Sequence, residues 1–536
     1  MAAQKAVLLS NAALVGMATM ASRLTGFIRD IFLAALLGAG PLAEIFVIAF
    51  RLPNLFRRLF AEGAFSAAFV PLFSKRLQQE GRTAALAFAG QICSVLLAAL
   101  ALFTLLAEIF MPALVLALAQ GFAGDAEKFD LAVHYARISF PYLIFMSLMA
   151  LFAAMLNAVN RFLAAALAPV LLNLVLIAAM AVLVLDNGGS VAAASADRRV
   201  LDYVIYAVTL AGLAQFLCVF IAAWRAGLRP PLAAPVLSDD VRKVWRLAVP
   251  GILAAGIGQI NLLVGTSIAT GQAGAAAWLY YADRLYQLPM GVIGVALAVA
   301  LLPELARRLA DGQEAGAREA QNIAVLAAGG LTLPASVGLM VLAQPIVTLL
   351  FERGAFTAAD SAMTAQIIFF FAFGLPAFVF IKALQPSFFA RQDTRAPFID
   401  GAIGVGVNIA LSLSLFASYG APAIAFATVV AGWVTLGLML GRMARRGIYA
   451  LSANLLRRLA GQTAAAVLMG VALVYPASLL TAAQLSASQS GAPLGPLLLA
   501  VWLGGLIMGG AIIYAIAAVL LGAVRRSDIA LLRGAD

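Results

Sequence analysis

The chain has 536 residues, of which 64% are hydrophobic and only 11% are charged, and its mean hydropathy is +1.01. A water-soluble protein of this length needs a largely polar outside, so the composition excludes a soluble globular protein. The net charge of +11 does not indicate nucleic-acid binding, because Lys and Arg collect in the cytoplasmic loops of membrane proteins. The apolar runs are too long for barrel strands and do not alternate, which predicts an all-α polytopic membrane protein.

About fourteen transmembrane helices are predicted, because that many segments are long enough to cross a bilayer. The first two spans carry charged residues, and the others follow from uncharged runs, of which three hold two spans each. In chain order the segments are 6–38, 42–74, 83–107, 138–160, 162–185, 203–224, a pair in 247–282, 320–351, 361–381, a pair in 401–441 and a pair in 459–524. The breaks within the first two pairs are predicted near 271–274 and 419–422.

The distribution of basic residues predicts that both termini lie in the cytoplasm. If the N-terminus is inside, most of the 35 Lys and Arg residues fall in cytoplasmic loops. The opposite side then receives only Lys128, Arg137, Arg198, Arg199 and Arg353.

An internal repeat relates the first six spans to the next six. Pro141 and Asn173 recur as Pro376 and Asn408, both at an offset of 235 residues. The repeat predicts an N-lobe of spans 1–6, a C-lobe of spans 7–12, and a helix pair of spans 13–14 outside the repeat, with bounds 1–228, 229–448 and 449–536. Two lobes of equal orientation would enclose a central cavity, and rocking them would give alternating access.

Seven basic residues lie inside the predicted spans: Arg23, Arg29, Arg51, Arg57, Arg58, Arg284 and Lys382. A charge at the centre of a bilayer costs at least ~2.5–3.5 kcal/mol on insertion scales, so most of them should line a wet cavity. Alternatively, each pairs with a carboxylate, for which Asp30, Glu44, Glu62 and Asp283 are available. Arg58 and Glu62 have the i,i+4 spacing of a helix pair.

The type and placement of these residues favour an anionic cargo. Arginine predominates, and its planar fork binds phosphate and carboxylate groups through two parallel hydrogen bonds. On a straight helix Arg23 and Arg29 would point about 120° apart. A bend at Gly26 would turn both toward one cavity, and Pro53 is a second predicted helix breaker, ahead of Arg57.

The sequence indicates a transporter and contains no pattern that predicts an enzyme or a cofactor. His134 is the only histidine, and both cysteines, Cys93 and Cys218, lie in apolar runs. No nucleophile with its base and no acidic metal-binding cluster is found, as a membrane enzyme would need. Asp400 and Asn408 are weak candidates for a cation site, although Asp400 also fits a solvated span end.

Two stretches resemble the signatures of one family. Ser22-Arg23-Leu24-Thr25-Gly26-Phe27-Ile28-Arg29-Asp30 and the residues 52–66 are similar to the first and second spans of the MurJ/MviN family, the bacterial lipid II flippases. Residues 280–285 and 391–394 also fit, and the resemblance covers nearly the whole chain, weakening after about residue 440.

The resemblance implies a fold of the multidrug/oligosaccharidyl-lipid/polysaccharide exporter superfamily, with two six-helix lobes and two C-terminal helices that form a groove for a lipid tail. It implies transport of lipid II, an undecaprenyl-pyrophosphate-linked disaccharide-pentapeptide, across the bacterial inner membrane for peptidoglycan and cell wall biogenesis and hence cell shape. Lipid II, membrane lipids and the peptidoglycan synthesis machinery are the implied partners. A flippase for another polyprenyl-linked oligosaccharide, or a multidrug exporter of the superfamily, is the alternative.

The resemblance also implies roles for individual residues. The substrate-binding residues would be Arg23, Arg29, Arg57 and Arg284. The supporting and gating residues would be Asp30, Glu44, Arg58, Glu62 and Asp283. Gln287 stands where some members have Glu, which puts a gating pair at that position in question.

Overall fold

A computed structural model describes residues 2–60, 64–489 and 495–524 of the chain. These residues form nineteen α-helices and no β-strand, which confirms the all-α prediction. The helices are α1 (Ala2–Leu37), α2 (Pro41–Phe60), α3 (Ala64–Gln79), α4 (Gly81–Ile109), α5 (Met111–Leu118), α6 (Ala126–Ser139), α7 (Tyr142–Ala158), α8 (Leu163–Asp186), α9 (Val191–Ala196), α10 (Val200–Arg225), α11 (Asp239–Ala269), α12 (Ala275–Pro289), α13 (Val295–Ala310), α14 (Glu314–Phe351), α15 (Ala358–Phe389), α16 (Arg395–Tyr419), α17 (Ala421–Arg445), α18 (Ala453–Gln489) and α19 (Pro496–Leu520). A 3₁₀ turn, Gln120–Gly124, precedes α6, and a π-helical turn, Met290–Gly294, joins α12 to α13.

Ten helical segments of the described chain are long and apolar enough to cross a membrane. They are α4, α6 with α7, α8, α10, α14, α15, α16, α17, α18 and α19. Of the other four predicted spans, the first two correspond to α1 and to α2 with α3. The pair predicted in 247–282 falls within α11 and α12, which extend beyond it on both sides. Each predicted span thus contains helix in the described part of the chain, and a total of fourteen is compatible with this structure.

Two predicted breaks between spans are confirmed, and each has a local cause. Gly274 has a φ of +83° and lies between α11 and α12, where a left-handed residue ends the helical path. Gly420, with a φ of +62°, lies between α16 and α17. Pro422 follows in the first turn of α17, where the missing N–H of proline leaves no hydrogen bond unmade.

Neither Gly26 nor Pro53 ends a helix, and the bend expected at Gly26 stays a prediction. Helix α1 continues through Gly26, and α2 continues through Pro53. Gly26 has a different structural role: a Cβ atom there would lie 3.3 Å from Nδ2 of Asn173 on α8. The glycine therefore gives the Asn173 amide room to approach α1.

The helices pack into two compact units. The described residues up to Ala277, together with Arg353–Phe356, form the first unit, in which α8 packs against α1 and α10, and α2 against α6. The described residues of Trp278–Glu352 and those from Thr357 onward form the second unit, in which α14 packs against α15 and α18, and α17 against α15 and α16.

Helix α11 packs against α3 and α2 and so belongs to the first unit. The lobe bounds 1–228, 229–448 and 449–536 rest on the sequence repeat and not on packing. They stay a prediction.

Candidate functional site

Arg29 and Asp30 form a buried ion pair on α1. Their residues are only 6% and 2% exposed. Nε and Nη2 of Arg29 donate to the same Asp30 oxygen, Oδ1, at 3.1 and 2.7 Å. Nη1 of Arg29 donates to Oδ1 of Asn173 on α8 at 2.9 Å. Pairing with a carboxylate, which was one of the two readings of the in-span arginines, thus holds for Arg29. Arg23 lies on the same helix and is half-buried.

The three arginines of α2 lie in its second half. Arg51 is half-buried and donates through Nη1 to Oγ1 of Thr266 on α11. Arg57 is half-buried, and its Nε donates to Oδ1 of Asn54 at 3.1 Å, within the same helix. Arg58 is exposed. Glu62, the predicted partner of Arg58, lies outside the described residues.

Glu44, at the other end of α2, is completely buried and pairs with a lysine. Its Oε2 accepts a hydrogen bond from Nζ of Lys128, which lies on α6. The Lys128 ammonium also lies 4.1 Å from the centre of the Phe122 ring, a geometry that favours a cation. The pair joins α2 to α6, so loss of Lys128 would leave the buried Glu44 carboxylate without its cation.

In the second unit, Asp283, Arg284 and Gln287 lie on α12. The Arg284 guanidinium lies 4.7 Å from the centre of the Tyr280 ring, one helical turn earlier. Oδ2 of Asp283 accepts a hydrogen bond from Nε2 of Gln287, at i,i+4 spacing. Gln287 is thus a neutral hydrogen-bond partner of Asp283 and does not add a second carboxylate at this turn.

Asp400 is fully buried, so its expected place at a solvated span end is wrong. The carboxylate lies against the guanidinium of Arg442 on α17, with Nη2 2.6 Å from Oδ1. Asn408 is also buried, and its Oδ1 accepts from Oγ of Ser412 at 3.3 Å. Eight residues on one helix separate Asp400 from Asn408 by about 12 Å along its axis. No group of three or more His, Cys, Asp or Glu residues within the described chain is arranged to hold a metal ion.

A family model described as lipid II flippase MurJ matches residues 33–488. The chain belongs to the MurJ family. The probable lipid II flippase MurJ of Rhizobium meliloti is 46% identical over 467 residues, which cover 87% of this chain and 86% of the relative. The lipid II flippase MurJ of Burkholderia cenocepacia is 34% identical over 448 residues, which cover 82% of this chain and 84% of the relative.

Two solved structures share the fold. A lipid II flippase MurJ in an inward closed conformation has a TM-score of 0.75 at 22% identity, covering 95% of this chain and 98% of that one. An inward-facing multidrug resistance transporter of the MATE family and MOP superfamily has a TM-score of 0.61 at 16% identity, covering 82% of this chain and 98% of that one. Sequence identity this low relates the helical architecture alone.

The sequence of this MurJ family member does not predict the partners of its charged residues, among them Asn173, Lys128 and Arg442. Asn173 was noticed only as one of the repeat matches, and Lys128 only as a loop residue on the side opposite the termini. Nothing in the sequence marks Arg442 as the partner of Asp400. The signal available in the sequence is the position of Glu44 inside a predicted span, since a charge buried in a membrane protein requires a partner.

Proposed function

We propose that this chain is a flippase that moves lipid II from the inner to the outer leaflet of the bacterial inner membrane. The observation that carries the proposal is the match of the MurJ family model to residues 33–488. Relatives that bear the lipid II flippase name cover more than four fifths of the chain. The family and the ten apolar helices make the chain a multi-pass protein of the bacterial inner membrane. The distribution of Lys and Arg supports cytoplasmic termini.

In the proposed mechanism, Arg23, Arg29, Arg57 and Arg284 bind the pyrophosphate and the peptide carboxylates of lipid II. Guanidinium groups bind such anions through paired hydrogen bonds and stay protonated in a cavity. The supporting residues are Asp30, Glu44, Arg58, Glu62 and Asp283. The lobes 1–228 and 229–448 rock about the site to give alternating access. The enzymes of peptidoglycan synthesis supply and consume lipid II, so association with that machinery is part of the proposal.

The C-terminal helix pair, 449–536, is proposed to hold the lipid tail. A cavity of about 610 Å³ beside α18 supports this assignment. Most of its wall area is apolar and comes from residues such as Leu326, Leu331 and Leu455. The polar lining residues are Glu319, Asn322, Ser452, Asn454, Arg458 and Gln462. Such a wall suits a hydrocarbon chain whose charged head lies elsewhere.

Another polyprenyl-linked oligosaccharide, or a drug molecule, is the alternative cargo. The drug alternative rests on the fold shared with a multidrug resistance transporter of the MATE family. The sequence relatives and the in-span arginines favour the lipid-linked anion over a cationic drug, which would be bound by buried carboxylates.

The test is leaflet-resolved transport of lipid II by the purified chain in liposomes. Arg57→Ala should slow flipping about tenfold to a hundredfold, because a lost hydrogen bond to a charged group costs ~1.5–3 kcal/mol. Arg57→Lys should restore part of the rate, since lysine binds phosphate only as a point charge. Arg307→Ala is the matched control, because that arginine is exposed and pairs with Glu304 on the same helix.

A wild-type chain that leaves lipid II in its original leaflet would refute the proposal. Formation of a chemically new product would indicate an enzyme instead.

A further inference from the structure

We propose that Asn173 is a positioning residue that orients the Arg29 guanidinium toward the anionic head of the substrate. The inference rests on the proposed function, in which Arg29 binds that head. Asn173 itself lies on α8, and its residue is only 4% exposed. Its three hydrogen bonds all go to α1, within the segment from Ser22 to Arg29.

The hydrogen bonds around Asn173 determine which way its amide faces. Nδ2 donates to the carbonyl oxygen of Ser22 at 3.0 Å and to Oγ1 of Thr25 at 3.2 Å. A carbonyl oxygen only accepts, and the Thr25 hydroxyl already donates to the carbonyl of Ala21 at 2.8 Å. Both neighbours therefore require the NH₂ group on their side. The amide oxygen is left facing Arg29, whose Nη1 donates to it.

The Arg29 guanidinium is thereby held on two sides. Asp30 accepts from Nε and Nη2, while Asn173 accepts from Nη1. Since a guanidinium is planar, these contacts at both of its ends fix the direction of the plane. Asp30 is on the same helix as Arg29, whereas Asn173 ties the guanidinium to a second helix.

The Asn173 amide does more than join two helices, because one of its hydrogen bonds is with a charged side chain. Amides can link membrane helices through hydrogen bonds to the backbone, as Gln215 does, and a buried amide costs free energy unless it is hydrogen-bonded. Gly26 on α1 gives the amide its space, because a Cβ there would lie 3.3 Å from Nδ2. Both features favour a specific polar contact with the Arg29 segment.

Gln215 provides the matched control. It is a buried amide on α10, 1% exposed, and its Nε2 donates to the carbonyl oxygen of Ala168 on α8 at 2.8 Å. Gln215→Leu thus removes a buried amide that links α8 to a neighbouring helix without touching Arg29.

The experiment measures the apparent Kd of the purified full chain for lipid II in a double-mutant cycle. Asn173→Leu should weaken binding about tenfold in the wild-type background and less than about twofold in the Arg29→Lys background, because its effect passes through the guanidinium. Gln215→Leu should leave the Kd unchanged in both backgrounds. Equal weakening by Asn173→Leu in both backgrounds, or none in either, would overturn the positioning role.

A second variant keeps the test decisive if Asn173→Leu does not fold. Gly26→Ala retains every polar group but pushes the Asn173 amide by a few tenths of an ångström, and it should also weaken binding only where Arg29 is present. Gly16→Ala, on the same helix with open space around it, is its control. Unchanged binding by Gly26→Ala would count against the inference. Failure of the proposed function gives a different result, since the unsubstituted chain would then not bind lipid II.

Discussion

The guanidinium of Arg442 on α17 holds the buried carboxylate of Asp400 on α16, with Nη2 2.6 Å from Oδ1 and Nε within 3.2 Å of both carboxylate oxygens. Asp400 is 0% exposed, whereas the Arg442 side chain is 29% exposed. The pair therefore joins a fully desolvated anion to a cation that still reaches the surface of the unit.

We predict that Arg442→Met lowers the free energy of unfolding by about 3 kcal/mol, because removing one partner of a buried pair leaves an uncompensated charge. Asp400→Asn should cost less, since a neutral amide is cheaper to bury than a charge. Thermal unfolding of the purified variants measures both effects. Arg307→Ala, at an exposed pair, should cost less than about 1 kcal/mol. Equal losses for Arg442→Met and Arg307→Ala would contradict the prediction.

The sequence predicted the helices because hydrophobic length and local breakers determine them. The uncharged runs predict the ten long apolar helical segments of the described chain, and the breaks at Gly274 and Gly420 follow from residues that favour a left-handed backbone. Helix length and helix ends depend on residues that are close together in the sequence.

The partners of the charged residues could not be predicted, because they depend on which helices meet. Lys128 lies 84 residues from Glu44, and Arg442 lies 42 residues from Asp400. Composition alone placed Lys128 in a loop and Asp400 at a solvated end. The sequence predicts Gly26 only as a site where α1 bends, because it does not reveal that the amide of Asn173 on α8 approaches this glycine.

Glu44 and Lys128 give a second prediction. Lys128→Met should destabilise the chain and slow flipping, because the fully buried Glu44 carboxylate loses its cation. The double variant Lys128→Met with Glu44→Gln should recover part of the stability, since no charge is then left buried. Unfolding temperature and lipid II flipping rate are measured for both. Recovery of stability without recovery of flipping would assign the pair a role in transport beyond packing, as the proposed gating role of Glu44 requires.

The connection between α15 and α16 contains a carboxylate that makes stability depend on pH. The backbone N–H of Ala396 and the Arg446 guanidinium hold the pKa of Asp393 below its usual value. A lowered folded-state pKa gives stability that is present above the unfolded-state pKa and is lost as the pH falls through the folded-state pKa. We therefore expect Asp393→Asn to flatten the acid side of the stability profile.

Arg446→Met should flatten the same profile only in part, because the Ala396 N–H still contacts the carboxylate. The measurement is the unfolding temperature of each variant between neutral pH and the acid limit of folding. If the unfolding temperature of Asp393→Asn falls with acidification as steeply as that of the wild type, other carboxylates are responsible for the pH dependence of stability.

The end of α1 lies against the segment Arg353–Phe356, and glycine makes that approach possible. Gly38 has a φ of +63°, and a Cβ atom there would lie 2.4 Å from the carbonyl oxygen of Ala355. The backbone N–H of Ala355 donates to the carbonyl oxygen of Ala35 at 2.8 Å. Gly38→Ala must therefore place alanine in a left-handed conformation, at a cost of about 1–2 kcal/mol, and also push the segment away from α1.

Gly40→Ala is the matched control. Gly40 lies two residues later, and a Cβ atom there would have no other atom within 4 Å. We expect Gly38→Ala to lower the unfolding temperature and to increase the proteolytic sensitivity of the segment Arg353–Phe356, while Gly40→Ala changes neither. Identical behaviour of the two variants would mean that the segment does not depend on its contact with α1.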